Sequence, residues 1–159
     1  MATKLAKQDT SIVDSGAIRW YFTPGAPVSN VHKTAATIRI GMTTGQAQTS
    51  EASCELPLPD LPPGLFGHIM PGFTHNIFSI GNLCDKYCKV LFTKHSCSIY
   101  DSKDQPFLKG WRETSGAKLW HISLRPDLRP DLAKYLPSNK DTKADSQEKQ
   151  ATIEALFSE

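Results

Sequence analysis

Proline and glycine interrupt this chain at short intervals, and that spacing restricts its fold more than any other feature of the sequence. The 159 residues include 11 prolines and 10 glycines. A chain broken into many short elements separated by turns is typical of a β-rich fold. The sequence therefore predicts a mostly β protein, and its length suits one domain with a hydrophobic core.

The clearest strand signal is a β-hairpin in the first half of the chain. Residues 37–42 alternate β-branched or apolar side chains with others, a turn follows at Gly45, and residues 46–58 continue as a second extended run. A second hairpin is predicted from residues 89–92 and 96–100. Both hairpins agree with the β-rich composition.

Shorter apolar segments between turn residues predict the remaining elements. A short helix fits residues 82–88, with Asn82 as its N-cap. The aromatic cluster Trp20, Tyr21 and Phe22 could form a shelf that binds peptide, but such clusters beside a strand are more often part of a protein core, which is the prediction here. Further strands are predicted at residues 11–13, 68–70, 76–81, 106–108 and 118–124.

Composition divides the chain into three parts. Residues 1–10 are a polar lead-in, and residues 11–124 carry the strand and turn pattern of one domain. Residues 125–159 contain two prolines in a tandem tetrapeptide and then a polar, charged stretch, so we expect a disordered or weakly helical tail there.

Charge and hydropathy restrict the partners. The net charge is +2 and acidic and basic residues are interspersed, so neither nucleic acid nor an anionic membrane surface is expected as a direct partner. No apolar run approaches the ~20 residues of a membrane span, and no secretory segment is recognisable. A cytoplasmic protein is therefore expected, with its four cysteines as reduced thiols.

The strongest functional signal is Asp14-Ser15-Gly16, which directly follows the apolar pair Ile12-Val13. A strand that ends in a carboxylate, a hydroxyl and a glycine can aim the carboxylate into a cleft, because glycine permits a tight backbone turn. The same three residues are also common in ordinary turns after a strand. The motif alone leaves both interpretations open.

Two stretches resemble the retropepsin-like aspartic proteases. Asp14-Ser15-Gly16-Ala17 resembles their catalytic loop, and residues 78–84 resemble the apolar-glycine strand and short helix that hold that loop. Residues 72–92 are more specifically similar to the protease region of a copia-type retrotransposon polyprotein, and residues 111–124 to the segment after it. The resemblance covers residues 11–124 and implies a closed β-barrel that forms one half of an acid protease site.

The resemblance also implies a mechanism and a set of site residues. Two carboxylates that share one proton activate a water for peptide hydrolysis, and one chain supplies one of them, so a homodimer acting on an extended peptide or polyprotein is implied, without metal or organic cofactor. Asp14 would be catalytic. Support for its loop is implied for Ser15, Gly16, Ala17, Ile80 and Gly81, and a flap that binds substrate for Met42, Thr43, Thr44, Gly45 and Gln46.

Departures from the family pattern keep a second function open. Ser15 stands where threonine is commoner, and the bulky Arg19 and Trp20 follow the loop. The alternative is a catalytically inactive, retroelement-derived β-rich module for peptide binding or dimerisation. A zinc site built from Cys84, Cys88 and nearby histidines is a further alternative, although their spacing matches no zinc finger or knuckle.

Overall fold

The structure, a computed structural model, describes residues 6–33, 37–41, 43–56 and 58–125. In that part of the chain a 3-10 turn at Lys7–Asp9 is followed by twelve strands and a short α-helix. The elements are β1 Thr10–Asp14, β2 Trp20–Phe22, β3 Ser29–His32, β4 Arg39–Gly41, β5 Ala47–Thr49, β6 Ala52–Glu55, β7 Gly67–Ile69, β8 Asn76–Ser79, α1 Ile80–Cys84, β9 Lys89–Phe92, β10 Ser96–Tyr100, β11 Pro106–Arg112 and β12 Trp120–Ser123.

Strand β1 occupies the interior of the main sheet. It pairs in parallel with β8 and antiparallel with β12. Its burial alternates, with Ser11 and Val13 buried between partly exposed neighbours, as expected for a strand with one face on the core. Because parallel strands end at the same edge of a sheet, Asp14 lies in register with Ser79 at the end of β8.

The main sheet has ten strands in the order β3-β6-β7-β2-β8-β1-β12-β11-β10-β9, and β4 and β5 form a separate hairpin. The prediction of a mostly β fold with one short helix is confirmed for the described residues. The sheet itself does not close: β3 and β9 are its two edges, and the residues of β3 are exposed throughout. The closed barrel implied by the resemblance is therefore not seen in the single chain.

Large apolar side chains on β1, β2 and β8 pack together in the hydrophobic core. Trp20 and Phe78 are fully buried and stack with ring centroids 4.3 Å apart. The aromatic cluster is therefore core, as predicted. On the other side of β1, Gly110 lets β11 pass close to β12, because a Cβ there would overlap the backbone carbonyl oxygen of His121.

Two predicted elements are corrected by the structure. The helix begins at Ile80 rather than at Asn82, because the Ser79 hydroxyl, not Asn82, caps it by accepting the Asn82 N–H. The predicted strand over residues 76–81 accordingly ends at Ser79.

The second arm of the first predicted hairpin is two strands rather than one. After β5 the chain is tied to the residue before β4, because the Ser50 N–H donates to the Ile38 carbonyl over 2.9 Å. It then leaves the hairpin, and β6 pairs with β7 in the main sheet. The predicted hairpin thus exists, but its second arm is shorter than residues 46–58.

The predicted tail lies outside the described residues from residue 126 onward. Within the described residues, none of the helices combines the length and apolar character needed to cross a membrane.

The four thiols differ sharply in exposure, which gives a test of the fold. Cys54, Cys88 and Cys97 are buried, whereas Cys84 is exposed on α1. Burial raises the pKa of Cys97 to about 12 and that of Cys54 to about 11. It also raises the pKa of Cys88, to which the Asp101 carboxylate and Cys84 add.

Since the thiolate is the reactive form, N-ethylmaleimide should label Cys84 alone in the native chain and all four cysteines in denaturant. Mass spectrometry of digested, labelled protein measures this directly. Labelling of Cys97 as fast as Cys84 under native conditions would contradict the placement of β10 in the core.

Candidate active site

The Asp14 loop begins at the end of β1, which lies between β8 and β12 in the main sheet, and it folds back on itself. The Gly16 N–H donates a 2.8 Å hydrogen bond to the Asp14 carboxylate oxygen Oδ1. This is a side-chain-stabilised turn, and it fixes the carboxylate at the mouth of the loop. A Cβ on residue 16 would lie 3.3 Å from that same oxygen, so glycine leaves room for the carboxylate to turn back.

Ser79 holds the loop from behind. Its hydroxyl donates to the Ala17 carbonyl oxygen at 2.6 Å and accepts the Asn82 N–H at 3.3 Å. Its own carbonyl oxygen accepts the Trp20 indole N–H at 2.8 Å. These three bonds join the loop, the start of β2 and the first turn of α1 at one buried residue.

An open cleft of about 710 Å³ lies in front of the loop. Asp14, Gly16 and Ala17 form its floor, and Arg39 and Ile40 of β4 border it on the side of the separate hairpin. The cleft is wide enough for several side chains of a bound molecule.

Part of the cleft lining is aromatic. Tyr21 and Phe73 meet edge to face with ring centroids 5.4 Å apart, and Ile77 and His75 continue the lining. Burial raises the pKa of Tyr21, and the nearby Arg19 guanidinium offsets part of that rise. The cleft therefore combines an apolar wall with very few charged groups.

The residues predicted as loop support lie on two elements, the Asp14 loop itself and the first turn of α1. Ile80 is buried in the first turn of α1. Gly81 follows it, and a Cβ there would come within 3.9 Å of the Ala17 carbonyl oxygen. Ser15 is exposed on the loop itself. The structure thus brings Asp14, Gly16 and Ala17 to the cleft. It places Ile80 and Gly81 in the first turn of α1, outside the cleft lining.

The residues predicted as the flap lie at the tip of the β4-β5 hairpin, away from the cleft lining. Thr43, Thr44, Gly45 and Gln46 are exposed there, and Gly45 has a φ of +85°, which favours glycine. Met42 lies outside the described residues. The hairpin lines the cleft through its base, at β4, rather than through its tip.

Gln48 of β5 connects the hairpin to the body of the protein. Its side-chain amide lies so close to the Gly72 backbone that a Cβ on residue 72 would overlap it. Gly72 belongs to the turn before the aromatic wall and itself lines the cleft. This contact therefore joins the hairpin to a turn that lines the cleft.

Sequence reasoning did not assign Arg39, Tyr21, Phe73 or His75 to the site. Tyr21 was attributed to the core, which describes its burial but not its position at the cleft wall. The signal for Arg39 was its place within the predicted hairpin. Nothing local in the sequence indicates that residues 73–75 would face residue 39.

Three side chains suited to holding a metal ion do not come together anywhere in the described residues. Comparison with protein-family models and with curated proteins finds no match to this chain.

Ser79→Ala should loosen the Asp14 loop and remove the helix cap. We expect a loss of about 1–2 kcal/mol in the free energy of unfolding, because two buried hydrogen bonds of one hydroxyl disappear. Urea denaturation followed by circular dichroism measures the loss.

Ser11→Ala is the matched control for that experiment. Ser11 is equally buried on β1, but its Oγ has no hydrogen-bond partner among the described residues. Its removal should change stability by less than about 0.5 kcal/mol. Equal losses for the two variants would show that the Ser79 hydroxyl does not hold the loop.

Gly72→Ala should release the hairpin without unfolding the protein. The Gln48 amide is the end of a flexible side chain and can swing away from the new methyl group, which breaks the contact at little cost in stability. Amide hydrogen exchange across β4 and β5 should then become faster. In Gly41→Ala the added Cβ meets no atom within 4 Å, so exchange should stay unchanged; equal exchange in both variants would contradict the contact.

Proposed function

We propose that the chain is one half of a retropepsin-like aspartic endopeptidase of retrotransposon origin that acts on a polyprotein in the cytoplasm. The observation that carries the proposal is the position of Asp14. It ends an internal strand, its loop is held by Gly16 and Ser79, and it opens onto a cleft bordered by a β-hairpin. A loop that served only as a turn would need neither the hydrogen bond from Ser79 nor the cleft.

Hydrolysis by this chemistry needs two carboxylates on one water. Among the described residues that line the cleft, Asp14 alone carries a carboxylate. The second carboxylate must come from Asp14 of another copy, so the active form is a two-fold homodimer. The retropepsin-like enclosure of the site would likewise be completed by two chains, since the sheet of one chain is open.

The two carboxylates share one proton because like charges this close cannot both ionise cheaply. The ionised Asp14 accepts a proton from water as the water oxygen attacks the scissile carbonyl carbon, and the protonated Asp14 donates to the carbonyl oxygen. When the tetrahedral intermediate collapses, the carboxylic acid of the dyad donates its proton to the nitrogen as the C–N bond breaks, and one hydroxyl of the intermediate gives its proton to the other carboxylate. The dyad returns to one proton, and a carboxylic acid and an amine leave.

The substrate is an extended peptide. An extended segment can run between the Asp14 floor and β4, where the separate hairpin borders the cleft, and place alternate side chains against the walls. Tyr21, Phe73 and Ile77 favour apolar side chains next to the scissile bond.

A second candidate is an inactive module that binds peptides or dimerises. The observation that favours it is the single carboxylate in the cleft, because a chain that never brings two copies together at Asp14 keeps the groove but cannot hydrolyse. Such a module would have the same apolar wall and the same hairpin.

Asp14→Asn should lower peptide cleavage by about 10²–10⁴-fold while leaving fold and self-association unchanged, because the amide cannot take a proton from water. A library of extended peptides, read by mass spectrometry with sedimentation of the same sample, measures cleavage and dimer together. Asp60→Asn, at an exposed loop position, is the matched control.

Two results would decide against the endopeptidase. Cleavage that survives Asp14→Asn would exclude this mechanism. Dimers or peptide complexes without any cleavage would instead favour the inactive module.

A further inference from the structure

A second cavity, of about 450 Å³, lies on the other side of the Asp14 loop. Ile18 lines both this cavity and the cleft, and its side chain is 75% exposed between them. Phe66, which is 52% exposed, and the buried His68 form the far wall. The two hollows are therefore neighbours along one surface, with Asp14 on the cleft side of Ile18.

The charged side chains along this surface are mainly cationic. Among the described residues that line the cleft, Arg39 is the one permanent cation and Asp14 the one carboxylate. The second cavity is lined by Arg19 and Lys86 against the single carboxylate of Asp85. With Asp14 reserved for catalysis, a bound molecule meets a positive charge on each side of the loop.

Arg19 lines the second cavity, and its charge acts on a residue in the wall of each hollow. Burial lowers the pKa of His68, and the charge of Arg19 lowers it further. The same guanidinium opposes the rise in the pKa of Tyr21, which lines the cleft. Arg19 is thus close to the walls of both hollows, although the sequence marked it only as a bulky departure from the family pattern.

Neither guanidinium is neutralised by the rest of the described chain. Arg39 and Arg19 are both exposed, and neither side chain makes an ion pair or hydrogen bond with another described residue. By contrast, the Arg112 guanidinium is engaged with backbone carbonyls of Lys118 and Lys94. Arg39 and Arg19 are therefore available to a ligand.

Building on the proposed function, we propose that the site selects peptides that carry acidic side chains on both sides of an apolar cleavage segment, with Arg39 and Arg19 as the specificity determinants. Arg39 binds the acidic side chain of the peptide that lies beside β4, and Arg19 binds the one that passes over Ile18. A guanidinium matches a carboxylate in a two-pronged geometry, and it repels a lysine or arginine at the same position.

Three matched peptides test this specificity. They share one apolar segment and differ only in having Glu, Gln or Lys on both flanks. Binding to the Asp14→Asn chain, measured by fluorescence polarisation, should be tightest for Glu and weakest for Lys, with about two- to fivefold per charge at moderate salt. The preference should shrink as salt is raised, because these charges are partly exposed.

Variants assign the preference to the two arginines. Arg39→Gln or Arg19→Gln should each remove about half of the preference on a logarithmic scale, and Arg39→Glu should abolish it, because repulsion of Glu at one flank then offsets attraction at the other. Lys109→Glu makes the same charge change on β11, outside both hollows, and should leave the order of the peptides unchanged.

The outcomes separate this inference from the proposed catalysis. Equal binding of the three peptides, together with cleavage that depends on Asp14, would overturn the acidic preference and leave the endopeptidase standing. Preferred binding of the Glu peptide without any cleavage would support the preference and count against catalysis. Failure of all three peptides to bind would overturn both.

Discussion

The parallel pairing of β1 with β8 is the constraint on which the rest of the site depends. Parallel strands bring Asp14 and Ser79 to the same edge, in register, although 64 residues separate them in the sequence. From that position the Ser79 hydroxyl reaches the Ala17 carbonyl and the first turn of α1. Ser79 therefore ends a strand, caps a helix and holds the loop by a hydrogen bond. The contacts that build the local fold thus also orient the Asp14 carboxylate.

Local patterns were sufficient where a segment carries its own signal. The strand before Asp14 and the two hairpins followed from alternation and turn residues, because those signals lie within a few positions. Strand β3 was missed because all four of its residues are exposed, so no apolar alternation marks it. The helix start was misplaced because Ser79 and Asn82 are both good caps, and only the contact with Ala17 decides between them.

The cleft shows why site residues are harder to predict than strands. Its lining joins Tyr21, Arg39 and Phe73, which come from three separate segments and meet only after the sheet and hairpin have packed. Arg19 and Trp20 illustrate the same point. The sequence treats them as a single bulky pair, whereas the structure buries Trp20 completely in the core and leaves Arg19 exposed beside the loop. Neighbours in sequence thus have separate roles, stability for one and charge for the other.

The stability of the Asp14 loop depends on one chain, whereas the chemistry proposed for it depends on two. The Gly16 bond, the Ser79 hydrogen bond and the stacking of Trp20 on Phe78 all lie within one chain, so a single copy can hold its Asp14 loop in place. The chemistry proposed for that loop needs a second carboxylate, and the described residues of one chain bring none to the cleft. On that proposal, folding would prepare half of a site at no cost in isolated buried charge, since a lone carboxylate at an open cleft stays solvated. Bringing two such loops together would then be the step at which desolvation and like-charge repulsion arise and the pair comes to share a proton.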